Sequence, residues 1–178
     1  MKKILIKYGS ISSAFIVVLM TLSLTFDSQI GYDNSYIVGY ASMIIAFSVI
    51  YFAILSYYKA NPEAKISFGR SISIGLLITL IASIVYVIVW LIMYYTVFPD
   101  FWDKYGVHMV EKLRKSGAAE DAINKQIAMI KEYKEMYKNP LINASFTFIE
   151  PLPVGIFISL ISAGIIQGMK KKLRASQS

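Results

Sequence analysis

The sequence predicts an all-α fold, a polytopic membrane protein of four transmembrane helices with an extracytoplasmic helical hairpin between spans three and four. Three observations carry this. Hydrophobic residues make up 56% of the 178, with a mean hydropathy of +0.56, more than a soluble globule of this length usually carries. Uncharged runs of bilayer length recur, and the charges gather between them. The stretch between Pro99 and Pro140 differs from the rest in being both charged and helical in pattern.

The spans follow in order. From Tyr8 to Phe26 there are 19 residues without a charge, and from Asn34 to Tyr58 there are 25. A hydrocarbon core of about 30 Å takes about 20 helical residues, so each run can cross, and spans are expected over 6–26 and 36–58. Lys2 and Lys3 ahead of the first run are also what a signal peptide would show, but no small-x-small cleavage pattern clearly follows Phe26 and Lys7 interrupts the start, so the segment is read as retained.

The third run, Ser71 to Pro99, has 29 residues. As a straight helix it would reach roughly 43 Å, so a span over 71–97 should tilt or emerge into the headgroups. Trp90, Tyr94, Tyr95 and Phe98, followed by Phe101 and Trp102, read as an aromatic interfacial anchor at its far end.

The fourth hydrophobic region is broken by Glu150-Pro151-Leu152-Pro153, and Pro151 to Met169 gives 19 uncharged residues. Proline lacks the amide proton and clashes with the preceding turn, so it is tolerated in a first helical turn and kinks a helix elsewhere. Span four is therefore placed at 151–169, with Glu150 at its positive end, where the helix dipole stabilises a carboxylate, and Asn139 to Ile149 along the membrane surface. The alternative is a longer, kinked helix that buries Glu150 within the membrane.

Four spans put both termini on one side. If that side is the cytoplasm, it holds Lys2, Lys3, Lys7, Lys59, Lys65, Arg70, Lys170, Lys171, Lys172 and Arg174 against Glu63; the other side holds eight Lys or Arg and ten Asp or Glu. The count of positive residues is close, and the local pattern decides it. The loop Asp27 to Tyr36 has no Lys or Arg, while Lys170-Lys171-Lys172-Leu173-Arg174 abuts span four. The net charge of +7 is thus a topology signal, and no nucleic-acid partner is expected.

In the charged stretch, Asp100 can cap a helix whose apolar positions Trp102, Tyr105, Met109 and Leu113 recur at helical spacing, with Ser116-Gly117 as its stop. A second helix carries Ile123, Ile127, Ile130 and Tyr137 and ends at Asn139-Pro140. Together they make the hairpin, over about 100–139, its apolar stripes facing each other or the lipid surface.

Cysteine is absent, which excludes disulfides, thiolate metal sites and thiol nucleophiles. His108 is the only histidine, so a zinc site would need carboxylates to complete it. Glu150 is a candidate because ionisable groups at membrane depth are costly and tend to be functional; its bland reading is a carboxylate in the headgroup zone. Arg70, at the cytoplasmic edge of span three, is a third candidate, whose bland reading is that it only snorkels. Ser71, Gly75, Thr79 and Ser83 fall in steps of four on span three, as do Gly155, Ser159 and Ala163 on span four, with Gly164 and Gly168 nearby. Such stripes let helix backbones approach in lipid, within one chain in the preferred reading and in a homo-oligomer in the alternative. No Gly-rich phosphate loop, HExxH motif or Ser-His-Asp set is evident, so no catalytic, cofactor-binding or metal residue is assigned.

The segments Ile66-Ser67-Phe68-Gly69-Arg70 leading into Gly75-Leu76-Leu77-Ile78-Thr79-Leu80-Ile81-Ala82-Ser83, then Phe98-Pro99-Asp100-Phe101, Glu135-Met136-Tyr137-Lys138-Asn139-Pro140 and Glu150-Pro151-Leu152-Pro153-Val154-Gly155, carry a resemblance. Over nearly its whole length the chain resembles a family of small four-span bacterial inner-membrane proteins, domain of unknown function 4199. The resemblance implies a bacterial cytoplasmic-membrane location and brings no activity. It marks the Phe-Gly-Arg and Glu-Pro-x-Pro stretches as places to look.

Three function classes remain open. The first is a non-enzymatic membrane interaction or accessory module, in which the outer hairpin, with or without the basic tail, meets a protein partner or anionic lipid. The second is a small oligomeric transporter or channel with Glu150 near a polar path. The third, a lipid-acting enzyme using Asp103, Glu111 or His108, has no spacing that demands it, and the expectation is that the chain is not an enzyme.

Overall fold

Where the sequence has its long uncharged runs, the chain is helical. The computed structural model describes residues 1–26, 31–61 and 67–175, with the side chains of 32–33 and 170–175 left aside. Among the described residues there are seven helices and no strand: α1 Lys2–Thr25, α2 Tyr32–Ala60, α3 Phe68–Thr96, α4 Phe101–Lys115, α5 Glu120–Tyr137, α6 Pro140–Ile149 and α7 Pro151–Ala175. Of the charges counted for orientation, Asp27, Glu63 and Lys65 lie outside the described residues, as do the side chains of Asp33 and of Lys170 to Arg174; so does Ile66 at the head of the Phe-Gly-Arg stretch.

Four helical stretches are long and apolar enough to cross a membrane: Lys2–Thr25, Asn34–Ala60, Phe68–Thr96 and Pro140–Met169. The chain is a multi-pass membrane protein. The last helix, α7, begins at Pro151 as expected, and the apolar stretch that contains it begins at Pro140: the segment expected to lie along the membrane surface is α6, and Glu150 is the one residue between it and α7. The local chemistry accounts for this. The Leu141 amide donates to Asn139 Oδ1 (3.0 Å) and the Asn143 amide to Asn139 O (3.0 Å), so Asn139 caps α6 while Pro140 occupies its first turn. Pro151 opens α7 in the same way.

Other helix ends are also set locally. Ser67 Oγ accepts from the Arg70 amide (3.2 Å), which fixes the start of α3. At the end of α4, Gly117 has φ +72 and donates to Arg114 O (3.1 Å), while the Ala118 amide donates to Leu113 O (3.1 Å). This is the Schellman arrangement, and only glycine enters that backbone region without strain. Asp100 occupies the position before α4, as expected, but makes no side-chain cap. Its carboxylate pairs instead with Lys104 (2.9 Å), one helical turn on.

The chain forms two compact units. The first comprises Met1–Tyr86 with Phe148–Ser178, the second Val87–Thr147. In the first, α2 packs against both α1 and α7. Its interior holds Ile16, Phe47, Ile50, Ile54, Ile74 and Ile78 together with the hydroxyls of Ser12, Ser71, Thr79, Ser83 and Ser159, all essentially without exposed surface. Its outside carries Phe15, Val18, Ile37, Ile45, Phe52, Ile84 and Phe157. Large apolar side chains thus lie both inside and outside, with small hydroxyls sharing the interior, and an outside this apolar is what lipid as solvent selects. Ser12 Oγ donates to Ala46 O of α2 (2.9 Å), and Tyr8 Oη lies 2.5 Å from Ser56 Oγ, joining α1 to α2.

In the second unit, α4 and α5 pack antiparallel, early residues of one meeting late residues of the other. Trp102 stacks on Tyr133 with ring centres 5.4 Å apart, Lys134 Nζ lies 2.5 Å from Asp103 Oδ1, and a β-carbon at Gly106 would stand 3.1 Å from Ile130. Ile123 and Ile130 are buried, and Ile127, Tyr137, Trp102, Tyr105, Met109 and Leu113 are half-buried; of these, Trp102, Tyr137 and Ile130 meet the facing helix. Helix α6 is inside out: Asn143 and Thr147 are buried, while Leu141, Ile142 and Phe146 are exposed.

Candidate functional site at the Glu-Pro-Leu-Pro break

Within the first unit, α3 and α7 meet through the two small-residue stripes. A β-carbon on Gly75 would fall on Ser159, and one on Gly155 would fall on Thr79. The two contacts are four residues apart on each helix and run in opposite senses, so the helices are antiparallel and in register. Carried one more step, that register places Ser83 level with Pro151. Gly164 and Gly168 do not share the seam: both are exposed, with nothing near the place a β-carbon would take.

At the head of the seam, Tyr86 Oη donates to Glu150 Oε2 (3.1 Å). Tyr86 is 8% exposed and belongs to α3; Glu150 occupies the turn before α7 and is exposed on the chain's surface. Among the described residues no Lys, Arg or His pairs with its carboxylate. Ser83, one turn before Tyr86 on the same helix, has no exposed surface, and its Oγ has no hydrogen-bond partner among the described residues. Pro151 and Pro153 withhold two amide hydrogens from the carbonyls that precede them. The break therefore gathers oxygens and lacks donors.

A second polar cluster lies in the second unit. Trp90 Nε1 donates to Asn143 Oδ1 (2.9 Å), and Thr147 Oγ1 donates to the same oxygen (3.2 Å). Because Trp90 can only donate, the amide oxygen must face it, and Asn143 Nδ2 points away with no partner among the described residues. Aromatic rings surround this end of α3: Phe101 stands edge-on to Trp90 at 5.6 Å, Tyr137 lies 5.9 Å from Tyr94 and stacks on Phe146, and Tyr95 Oη donates to Tyr137 O (2.8 Å). The aromatic residues expected to anchor the end of span three are thus packed on one another and on α5 and α6.

The structure separates two of the three candidate residues it can compare. Arg70 is exposed in the first turn of α3, its Nη1 3.9 Å from Met1 Sδ, and Tyr86 lies 16 residues further along the same helix. That is roughly 24 Å of rise, so Arg70 does not neutralise Glu150. His108 is half-buried on α4 in the second unit. Among the described residues no three His, Cys, Asp or Glu side chains gather where they could hold a metal ion. Outside the spans, the Lys104 ammonium hydrogen-bonded to Asp100 holds that carboxyl below the usual carboxylate range.

Sequence reasoning missed Tyr86, Trp90, Asn143 and Thr147 as polar-site residues, and took Ser83 only as a packing residue. The available signal was the presence of hydrogen-bonding side chains inside otherwise apolar runs, since such groups need partners in lipid.

A family model described as Protein of unknown function (DUF4199) matches residues 7–167, from the first turns of α1 to the last turns of α7. No curated protein and no solved structure matches the chain.

Proposed function

We propose that this chain, which belongs to the DUF4199 family of proteins of unknown function, is a non-enzymatic membrane module that holds the α4–α5 pair at a bilayer surface as a docking element for a protein partner or anionic lipid. One observation carries the reading. The pair satisfies its apolar stripes on itself, through Trp102, Tyr133, Ile123 and Ile130, and turns Glu111, Arg114, Lys115, Lys125 and Lys131 outward. A charged face displayed between two membrane spans is suited to recognition rather than to burial.

The charge asymmetry supports an orientation with both termini in the cytoplasm and the pair outside, in a bacterial inner membrane, with no role for nucleic acid. Crosslinking of the full chain in cells tests the reading. A version lacking Phe101 to Lys138, and one with Arg114→Glu, Lys115→Glu and Lys131→Glu, should both lose a crosslinked species that the native chain gives. Identical crosslinking by all three defeats the reading.

The Tyr86–Glu150 contact favours a second reading, a small oligomeric transporter or channel. An acid inside an apolar helical stretch, without a cationic partner among the described residues, is costly to keep unless it is used. Proteoliposomes carrying Glu150→Gln should then lose cation- or proton-dependent flux, and unchanged flux removes Glu150 from any pathway.

A further inference from the structure

We propose that Glu150, Tyr86 and Ser83 form a binding site for a monovalent alkali cation held by oxygen ligands. The site deepens the second reading above by naming the class of ion, but it requires only binding and not passage.

Glu150 lacks a cationic partner among the described residues. A carboxylate beside lipid needs a counter-charge, and among the described residues no Lys, Arg or His supplies one. Tyr86 gives it one hydrogen bond, 3.1 Å long, and no charge. Helix α6 exposes Leu141, Ile142 and Phe146 while burying Asn143 and Thr147, which suits a helix surrounded by hydrocarbon. Glu150 follows that helix directly, so headgroup water is not its natural partner.

The independent observation is Ser83. It is fully buried and its hydroxyl is unpartnered among the described residues. Its direction follows from the seam: Gly75 and Thr79 face α7, and Ser83 is the next member of the same four-residue progression, level with fully buried Pro151. Ser83 and Tyr86 are neighbours on one helix face, and the register of the seam sets Ser83 beside the start of α7, where Tyr86 meets Glu150. Pro151 and Pro153 add to the surplus of acceptors by withholding their amide hydrogens.

The class of ion follows from charge and ligand number. One carboxylate balances one positive charge, whereas a divalent ion such as calcium takes six to eight oxygens and commonly several carboxylates. A proton would satisfy a single carboxylate oxygen and leave Ser83 as it is; an alkali cation draws on all three side chains. The framework is rigid where it needs to be, because glycine-to-side-chain contacts at Gly75 and Gly155 fix α3 against α7 just below the corner.

The test uses the full chain in nanodiscs, purified in choline chloride and titrated with lithium, sodium or potassium chloride at constant ionic strength. The melting midpoint should rise by a few degrees along a saturable curve, more for one of these ions than for the others, as expected when a ligand binds the folded state alone. Glu150→Gln should give a flat curve, and Ser83→Ala should raise the half-saturating concentration several-fold. In infrared difference spectra the carboxylate band lost in Glu150→Gln should shift when the preferred ion is added. Equal midpoints in every salt overturn the proposal. So does a protonated carboxyl band at neutral pH that no alkali ion alters, which would make Glu150 a protonated acid only. Should Glu150→Gln fail to fold, the Ser83→Ala titration and the native spectrum still decide. Binding without flux would retain this site and defeat the transport reading; flux without any alkali dependence would do the reverse.

Discussion

Thr79 on α3 lies so close to Gly155 on α7 that a β-carbon on the glycine would overlap the threonine Cβ, Oγ1 and Cγ2. Four residues along, the roles exchange, and Gly75 receives Ser159. Threonine is stiff at χ1 and cannot turn aside, so the first contact tolerates no added methyl.

Gly155→Ala should therefore lower stability by about 1–3 kcal/mol, the usual cost of overfilling a packed contact. Unfolding in mixed detergent micelles measures it, and Thr79→Ala in the same chain should recover only part of the loss, because the Cβ it keeps still overlaps the added methyl. Gly164→Ala is the control: with open space around it, the change should be neutral or slightly favourable, since alanine suits a helix interior better than glycine. A loss of equal size at Gly164 would mean the seam is not what makes Gly155 special.

Asn143→Leu should leave the Trp90 indole N–H without its acceptor, at a cost of about 1–3 kcal/mol for a buried unsatisfied donor. Trp90→Phe with Asn143→Leu should cost less than the two single changes summed. Interhelical hydrogen bonds in membranes average about 0.6 kcal/mol in such cycles, and a coupling between that and about 2 kcal/mol is expected. Zero coupling would show that the hydrogen bond is not made.

The Asp100–Lys104 pair gives a pH prediction. A carboxyl whose folded pKa is depressed contributes stability above its unfolded value, and the contribution is lost as pH falls through the folded value. The Asp100 side-chain signal in NMR should titrate below the ordinary aspartate value of about 3.9, and Lys104→Ala or high salt should move it back up. Because both side chains are exposed, the effect on the melting midpoint should be small. A titration at the ordinary value in the native chain would contradict the pairing.

The proposed orientation is cheaply tested because the chain has no cysteine. A single cysteine replacing Glu120, in the first turn of α5, should react with an impermeant maleimide added to intact cells, and one replacing Lys2 should react only after lysis. The opposite pattern would invert the topology.

Much of this architecture was legible because lipid imposes a simple rule: a long run without charge must be helical and must find apolar surroundings. Runs one to three needed nothing more, and the stop at Gly117 was readable because its backbone geometry favours one residue type. The seam was half legible. Steps of four identified Ser71 to Ser83 and Gly155 to Ala163, yet Gly164 and Gly168 satisfy the same spacing and lie outside it, since spacing says which residues share a face and not which face is covered. Helix α7 starts at Pro151 as expected, but the apolar stretch that contains it starts at Pro140, because two prolines compete for the same role. Pro140 also sits in a first turn, with Asn139 as its cap, and the Glu150 break interrupts the helix without ending the apolar stretch. The partners of Glu150 and Asn143 were hidden for another reason: Tyr86 and Trp90 are more than fifty residues away in sequence, and nothing local announces them.

The alternation along α3 and α7 has a mechanical consequence. Each bump sits in a notch, and because bump and notch alternate along each helix, a slide of one four-residue step, about 6 Å, would set Thr79 against Ser159 and lose the fit. Such a contact behaves as a detent. When the surrounding bilayer thins or thickens, α3 and α7 should lean together as one body rather than slide, which keeps Tyr86 beside Glu150.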